Sequence, residues 1–128
     1  LIRHTVVHLQ QRRQFGVALA SFQALRHRVA DMYVRYRAAR GLLTHAWEAW
    51  AKDADDLERT LRLMKLALAD GARACAEAAI QLHGGMGLSE EVLATRLAQR
   101  LLASEFRAGD RLTQLAWLRN PLNPRSPT

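Results

Sequence analysis

Proline is absent from the first 120 residues of this 128-residue chain, and this absence constrains the fold more than any other feature. Proline removes a backbone donor and breaks helices, so a chain without it can form long uninterrupted helices. All three prolines, Pro121, Pro124 and Pro127, fall in the last eight residues, and only seven glycines are present. So few turn-forming residues favour a helical fold over a sandwich or a barrel.

Two long stretches carry apolar residues at alternating spacings of three and four, the pattern of a helix face packed in a bundle. The first follows Ser21, which we interpret as its N-cap, and ends at Trp50. The second begins at Leu57, after a polar turn over residues 52–56, and ends near His83. Because a short turn joins antiparallel neighbours, we expect two long helices that face each other. The stripes comprise Phe22, Leu25, Val29, Met32, Tyr36, Ala39, Leu43, Ala46 and Trp50, and Leu57, Leu61, Met64, Leu68, Cys75, Ala79 and Leu82.

Shorter helices are predicted after the second stretch. Three glycines within residues 84–87 are expected to end the long helix. Ser89, followed by two glutamates, is taken as the N-cap of a shorter helix, and Gly109 with Asp110 precedes a last one. The predicted fold class is all-α: an antiparallel four-helix bundle, up-down-up-down, with a short extra helix and no β-sheet.

We predict one domain over residues 1–119 and an irregular tail over residues 120–128. The first residues have a helical pattern but offer neither Met nor an N-cap residue. We therefore expect a fragment whose first helix begins upstream of Leu1.

Positive charge is concentrated near the start of the chain. Residues 1–40 contain eight arginines and one acidic residue, Asp31, which accounts for the whole formal charge of +7. Such a segment either binds an anionic partner, such as nucleic acid, a phosphate-bearing cofactor or an acidic protein face, or forms solvated helix faces.

A single cysteine, Cys75, excludes an internal disulfide framework and indicates a reducing compartment. No apolar run approaches the length of a membrane span, and the start does not resemble a signal peptide. We therefore expect a cytoplasmic protein without a membrane span.

The residues alone reveal little chemistry. His4 and His8 are spaced to share a helix face, but no third ligand accompanies them, so we expect no metal site. Cys75 lies on an apolar stripe and is interpreted as an inert core thiol. The glycines at 84–87 follow a helix rather than a strand, which argues for a helix-ending turn and against a dinucleotide fingerprint. Met32, Met64, Trp47 and Trp50 are assigned to the core or to a subunit interface.

Two segments resemble the C-terminal helical domain of the acyl-CoA dehydrogenase family. Residues 12–16 (RRQFG), with Phe22-Gln23 and residues 29–32 (VADM), resemble the RxxFG, FQ and LADM elements that open that domain. Residues 79–87 (AIQLHGGMG) resemble its second signature, the QxxGGxG turn. The resemblance covers essentially residues 1–118, the last third of a usual family chain.

The resemblance implies that this domain binds FAD across a subunit interface. Arg12 would offer its guanidinium fork to the pyrophosphate and Phe15 its ring to the adenine side, while Gly84 and Gly85 let backbone N–H groups approach a phosphate. The implied cofactor-binding residues are Arg12, Gln14, Phe15, Gln23, Gln81, Gly84 and Gly85.

One position departs from the family pattern. Many members carry their catalytic glutamate about 21 residues after the last glycine of the turn, which here is Ala108. A methyl group cannot abstract an α-proton, and Glu105 lies three residues too early. We therefore predict no catalytic residue in this chain, as in the non-catalytic subunits of heteromeric acyl-CoA dehydrogenases.

The resemblance implies α,β-dehydrogenation of an acyl-CoA thioester by an FAD-dependent assembly. The expected partner is another acyl-CoA dehydrogenase subunit, in a homo- or hetero-oligomer. Two alternatives stay open: an active homomeric enzyme whose base lies upstream of this fragment, and a basic helical scaffold or nucleic-acid-binding module, which a steep salt dependence of DNA binding would reveal.

Overall fold

The computed structural model describes residues 1–120, so the predicted tail at 120–128 lies outside the described residues except for Asn120. The domain boundary at 119 stays a prediction. The helices are α1 (Ile2–Gln11), α2 (Gln23–Ala51), α3 (Leu57–His83), α4 (Leu93–Ala103) and α5 (Arg111–Arg119), and the strands are β1 (Arg13–Gln14) and β2 (Val17–Ala18). Single 3-10 turns lie at Leu19–Ser21, Gly84–Leu88 and Ser104–Phe106.

The helices form the predicted up-down-up-down bundle. Helices α2 and α3 are antiparallel, since residues 52–56 join them and the Cys75 thiol donates to the Met32 carbonyl oxygen at 3.5 Å. Helix α4 runs back along α3, because its end accepts a bond from Lys65 Nζ to Ser104 O at 2.9 Å. Helix α1 runs parallel to α3, and His8 near the end of α1 contacts His83 at the end of α3. Helix α5 is the short extra helix and runs in the direction of α4.

The core lies between α1, α2 and α3, toward the carboxyl end of α3. Its buried members are Leu9, Met32, Cys75, Ala79 and Leu82. Burial raises the pKa of the Cys75 thiol, as expected of an unreactive core cysteine.

The apolar stripe of α2, predicted as a helix face packed in a bundle, is only partly buried in this chain. Met32 is buried, but Phe22, Tyr36, Leu43 and Trp50 are exposed in this chain. Near the end of α2 the buried positions are Ala46 and Ala49, whose small side chains allow neighbouring backbones to approach closely. Trp47 is exposed as well, so it and Trp50 lie outside the core, and their assignment to a subunit interface stays a prediction.

A small hairpin corrects the expectation of no β-sheet. Strands β1 and β2 pair antiparallel, with Arg13 opposite Ala18 and Gln14 opposite Val17.

Two helix starts also differ from the predictions. Helix α2 follows Phe22, because Ser21 Oγ donates to the Ala18 carbonyl at 2.7 Å and closes a local turn.

Ser89 does not cap α4, which begins four residues later at Leu93 after Val92. Its hydroxyl instead accepts the Glu91 N–H at 3.3 Å in a local turn, a use of serine that competes with capping. Asp110, which was expected only to precede the last helix, caps α5 by accepting the Thr113 N–H at 2.9 Å. Within residues 1–120, no helix is both long and apolar enough to cross a membrane.

Candidate functional site

Both signature segments lie at one end of the bundle. This end contains the end of α1, the hairpin, the start of α2 and the end of α3. The turn at Leu19–Ser21 packs there through Leu19 and Ala20, which contact the core cluster containing Leu9 and Leu82. Segments about 70 residues apart in sequence therefore share one surface.

A pair of histidines joins these segments. The rings of His8 and His83 stack with centroids 4.3 Å apart and planes inclined by 25°. His83 Nδ1 donates to the Ala79 carbonyl at 2.8 Å, and because a carbonyl only accepts, Nδ1 carries the proton. Burial, the nearby His83 and Arg12 lower the pKa of His8, so the neutral ring is favoured. The sequence did not predict this pair. The spacing of His4 and His8 relates residues on one helix, whereas His8 and His83 lie on different helices.

Arg12 begins the exposed part of the site. Its N–H donates to the His8 carbonyl at 2.8 Å, and its own carbonyl accepts the Leu19 N–H at 2.8 Å. Both backbone groups are therefore fixed, while the side chain is exposed. Gln14 follows in β1 and is also exposed.

The hairpin turn presents Phe15 outward. Phe15 and Gly16 both have positive φ, 53° and 80°, and Arg13 Nη2 donates to the Gly16 carbonyl at 2.8 Å. Phe15 is 90% exposed, and its ring meets Phe22 edge to face at 6.4 Å. An exposed phenylalanine held in this way is available to a planar ligand or to another protein chain.

The end of α3 supplies the second half of the surface. Gly84 caps the helix with φ of 59° and donates its N–H to the Gln81 carbonyl. Gln81, Gly84 and Gly85 are exposed, and a β-carbon at either glycine would meet no atom within 4 Å. Ligand atoms could therefore approach the backbone of this turn from outside.

Gln23, the first residue of α2, is exposed at the same end, with its Nε2 3.5 Å from His27 Nε2. All seven predicted residues are thus exposed and lie in elements that meet at this end. Their donor set is a guanidinium, carboxamides, an aromatic ring and backbone N–H groups, which suits a ligand with phosphates and a planar ring. The individual contacts of these residues with a ligand stay predictions.

A second region contains Ala108, the position at which many family members carry their catalytic glutamate. Ala108 is exposed with φ of 57°, and Gly109 follows with φ of 87°. Gln114, only 3% exposed, donates from Nε2 to the Ala108 carbonyl at 2.8 Å and accepts from Arg62 Nη1 at 3.0 Å. Sequence reasoning missed Gln114, whose polar side chain carried no sign of burial.

Glu105, the neighbouring acid, is engaged by α3. Its carboxylate forms an ion pair with Arg73, and its side chain is 12% exposed. Lys65 Nζ also donates to its carbonyl at 3.0 Å. The loop at 104–110 is therefore held to α3 at several points.

The chain is similar to known proteins in both sequence and fold. The family model described as "Acyl-CoA dehydrogenase, C-terminal domain" matches residues 1–119. The L-prolyl-[peptidyl-carrier protein] dehydrogenase of Pseudomonas fluorescens is 38% identical over 90 residues, which are 70% of this chain and 23% of that protein. Butyryl-CoA dehydrogenase from Megasphaera elsdenii superimposes with a TM-score of 0.82 at 28% identity, over 90% of this chain and 30% of that one. An FAD complex of PigA superimposes with a TM-score of 0.80 at 26% identity, also over 90% of this chain and 30% of that one.

Proposed function

The chain belongs to the acyl-CoA dehydrogenase family, in which it corresponds to the C-terminal domain. We propose that it binds FAD together with a neighbouring subunit in an acyl thioester dehydrogenase. The chain spans less than a third of the length of the relatives described above. The proposal therefore concerns the complete protein that contains this domain.

The observation that carries the proposal is the meeting of both signature segments at one exposed end of the bundle. The stacked rings of His8 and His83 link the end of α1, next to Arg12, to the end of α3, next to Gly84. A nucleotide that contacts both segments needs this proximity. The FAD complex of a similar protein supports the identity of the ligand.

Each half of the surface has a distinct role. Arg12 binds the pyrophosphate as a charged fork, and Gly84 and Gly85 bring backbone N–H groups close to phosphate oxygens. Phe15 covers the adenine side, and the amides of Gln14, Gln23 and Gln81 supply donors and acceptors. Bound FAD supplies a two-electron acceptor for the hydride that leaves the β-carbon of the thioester, while a base takes the α-proton and a 2-enoyl thioester results.

This chain does not supply that base. The methyl group of Ala108 accepts no proton. Glu105 is paired with Arg73 and largely enclosed, so its carboxylate is committed to holding the loop. We therefore propose that the base belongs to a paired subunit, and that this chain contributes cofactor-binding and oligomer contacts. Part of the excess positive charge in residues 1–40 then lies next to the phosphates of the cofactor.

The experiment measures FAD stoichiometry and turnover of the complete protein, alone and co-expressed with a paired family subunit that retains its glutamate. We expect turnover only in the pair. Full flavin occupancy and turnover of the protein alone would favour the alternative of a homomeric enzyme with its base upstream. Acyl-CoA and carrier-protein thioesters are compared as substrates, since a similar protein is named for a carrier-protein substrate.

A cytoplasmic location and the absence of nucleic-acid binding stay predictions. Fractionation of cells that produce the complete protein tests the first. A titration with duplex DNA at several salt concentrations tests the second, because true phosphate binding weakens steeply as salt rises.

A further inference from the structure

We infer that the stacked rings of His8 and His83 position the two halves of the cofactor surface, so that Arg12 and the Gly84 turn reach one FAD molecule. This inference rests on the proposed function. Neither histidine belongs to the predicted cofactor contacts. They act through their neighbours and are positioning residues.

Helix α1 has only 10 residues and packs alongside the end of α3. His8 lies one turn before Arg12, about 6 Å along the helix axis. His83 is the residue directly before Gly84. The ring contact at 4.3 Å is therefore within one turn of both halves of the surface.

Both histidines are held in place by their surroundings. The Nδ1–H of His83 donates to the Ala79 carbonyl, which orients the ring within α3. The His8 carbonyl accepts the Arg12 N–H at 2.8 Å, so a shift of His8 moves the backbone of Arg12 directly. The residue after His8, Leu9, and the residue before His83, Leu82, are buried in the core cluster. The stack thus lies at the outer margin of the core, between packed side chains and the exposed site.

The charges around His8 favour a neutral ring. Burial, His83 on α3 and Arg12 at the end of α1, in that order, lower the pKa of His8 and so disfavour a proton on its ring. A neutral His8 ring stacks on His83 without charge repulsion, whereas an imidazolium at His8 would be repelled by the nearby Arg12 guanidinium. Protonation of His8 is therefore expected to weaken the ring stack and, through it, FAD binding.

The test uses the complete protein and measures the Kd for FAD by titration of the apoprotein. His8→Ala removes the stack and is expected to raise the Kd about 3- to 10-fold, the range that a lost aromatic pair gives. His8→Phe keeps a flat ring and is expected to restore affinity to within about twofold of the parent. His4→Ala, on an exposed position one turn earlier in α1, is the matched control and leaves the Kd unchanged.

The pH profile gives a readout that a purely structural role would not move. From about pH 7.5 to about pH 5.5, the parent is expected to lose more FAD affinity than His8→Phe does, because a phenyl ring cannot take a proton. The inference is overturned if His8→Ala matches His4→Ala in Kd, if His8→Phe is as weak as His8→Ala, or if the two pH profiles coincide. Arg12→Ala separates the two ideas: if it leaves the Kd for FAD unchanged, the proposed function itself fails.

Discussion

The backbone of Gly87 lies so close to Ile80 that a β-carbon at Gly87 would come within 2.3 Å of the Ile80 carbonyl oxygen. This contact packs the turn after α3 directly against the last turns of the helix. A side chain of any size therefore displaces backbone rather than a flexible neighbour.

We expect Gly87→Ala to lower the free energy of unfolding by at least about 2 kcal/mol, in the range of severe overpacking. Gly41→Ala is the control, since Gly41 lies within α2 and an added methyl group there would meet nothing within 4 Å. It is expected to raise the free energy of unfolding by about 0.5 to 1 kcal/mol, because alanine favours a helix over glycine. Urea unfolding of the complete apoprotein measures both changes, and a neutral Gly87→Ala would contradict the close approach.

Arg12→Ala is expected to weaken FAD binding about 10- to 150-fold, the usual effect of losing a hydrogen bond to a charged group. Arg12→Lys should recover only part of this loss, because an ammonium group cannot form the paired bonds of a guanidinium. The control is Arg3→Ala, an exposed arginine at the other end of α1. Equal losses in the Arg12 and Arg3 variants would indicate a general charge effect instead of a specific contact.

Ala108→Glu is not expected to create an active dehydrogenase. The backbone at Ala108 has φ of 57°, and the Gln114 amide holds its carbonyl, so the loop keeps its own conformation. A carboxylate contributes only when it is held within reach of the α-proton and of bound flavin. Turnover of the complete protein without a partner is the measurement, with Ala108→Gln as the isosteric control. Turnover in the glutamate variant alone would show that only the base was missing.

Glu105→Gln tests the role of the other acid in this loop. Because its carboxylate pairs with Arg73, the substitution should destabilise the loop while leaving the turnover of a paired assembly within about twofold. Thermal unfolding and steady-state kinetics are measured on the same preparation. A loss of turnover by orders of magnitude, with normal stability, would identify Glu105 as the base and overturn its structural role.

The stability that Asp110 contributes to α5 depends on pH, and the direction of this dependence follows from its pKa. Bonds from the Thr113 N–H and hydroxyl lower the pKa of the Asp110 carboxyl. Because the folded pKa lies below the unfolded one, this stabilisation is present above the unfolded pKa, near pH 4, and is lost as the pH falls through the folded value. Asp110→Ala should therefore lower the Tm at neutral pH and show a smaller further loss in acid than the parent. Identical acid transitions would show that the cap contributes nothing.

The helical class, the two long helices and their antiparallel order follow from the amino-acid sequence alone. Proline-free length, the spacing of apolar residues and the glycines after His83 are local signals, and each acts through the backbone of its own segment. The start of the last helix after Gly109 and Asp110 follows for the same reason. The starts of α2 and α4 do not, because Ser21 and Ser89 use their hydroxyls in local turns that compete with capping.

Which apolar residues are buried, and which distant segments meet, depends on how the helices pack. The exposure of Trp47 and Trp50 depends on where α3 crosses α2. The sequence pattern of one helix does not predict how it packs against another. The contact of His8 with His83 joins residues 75 positions apart, and the burial of Gln114 depends on Arg62 from another helix. Such contacts form only in the tertiary structure, because local periodicity specifies a face of each helix but not its partner at each position.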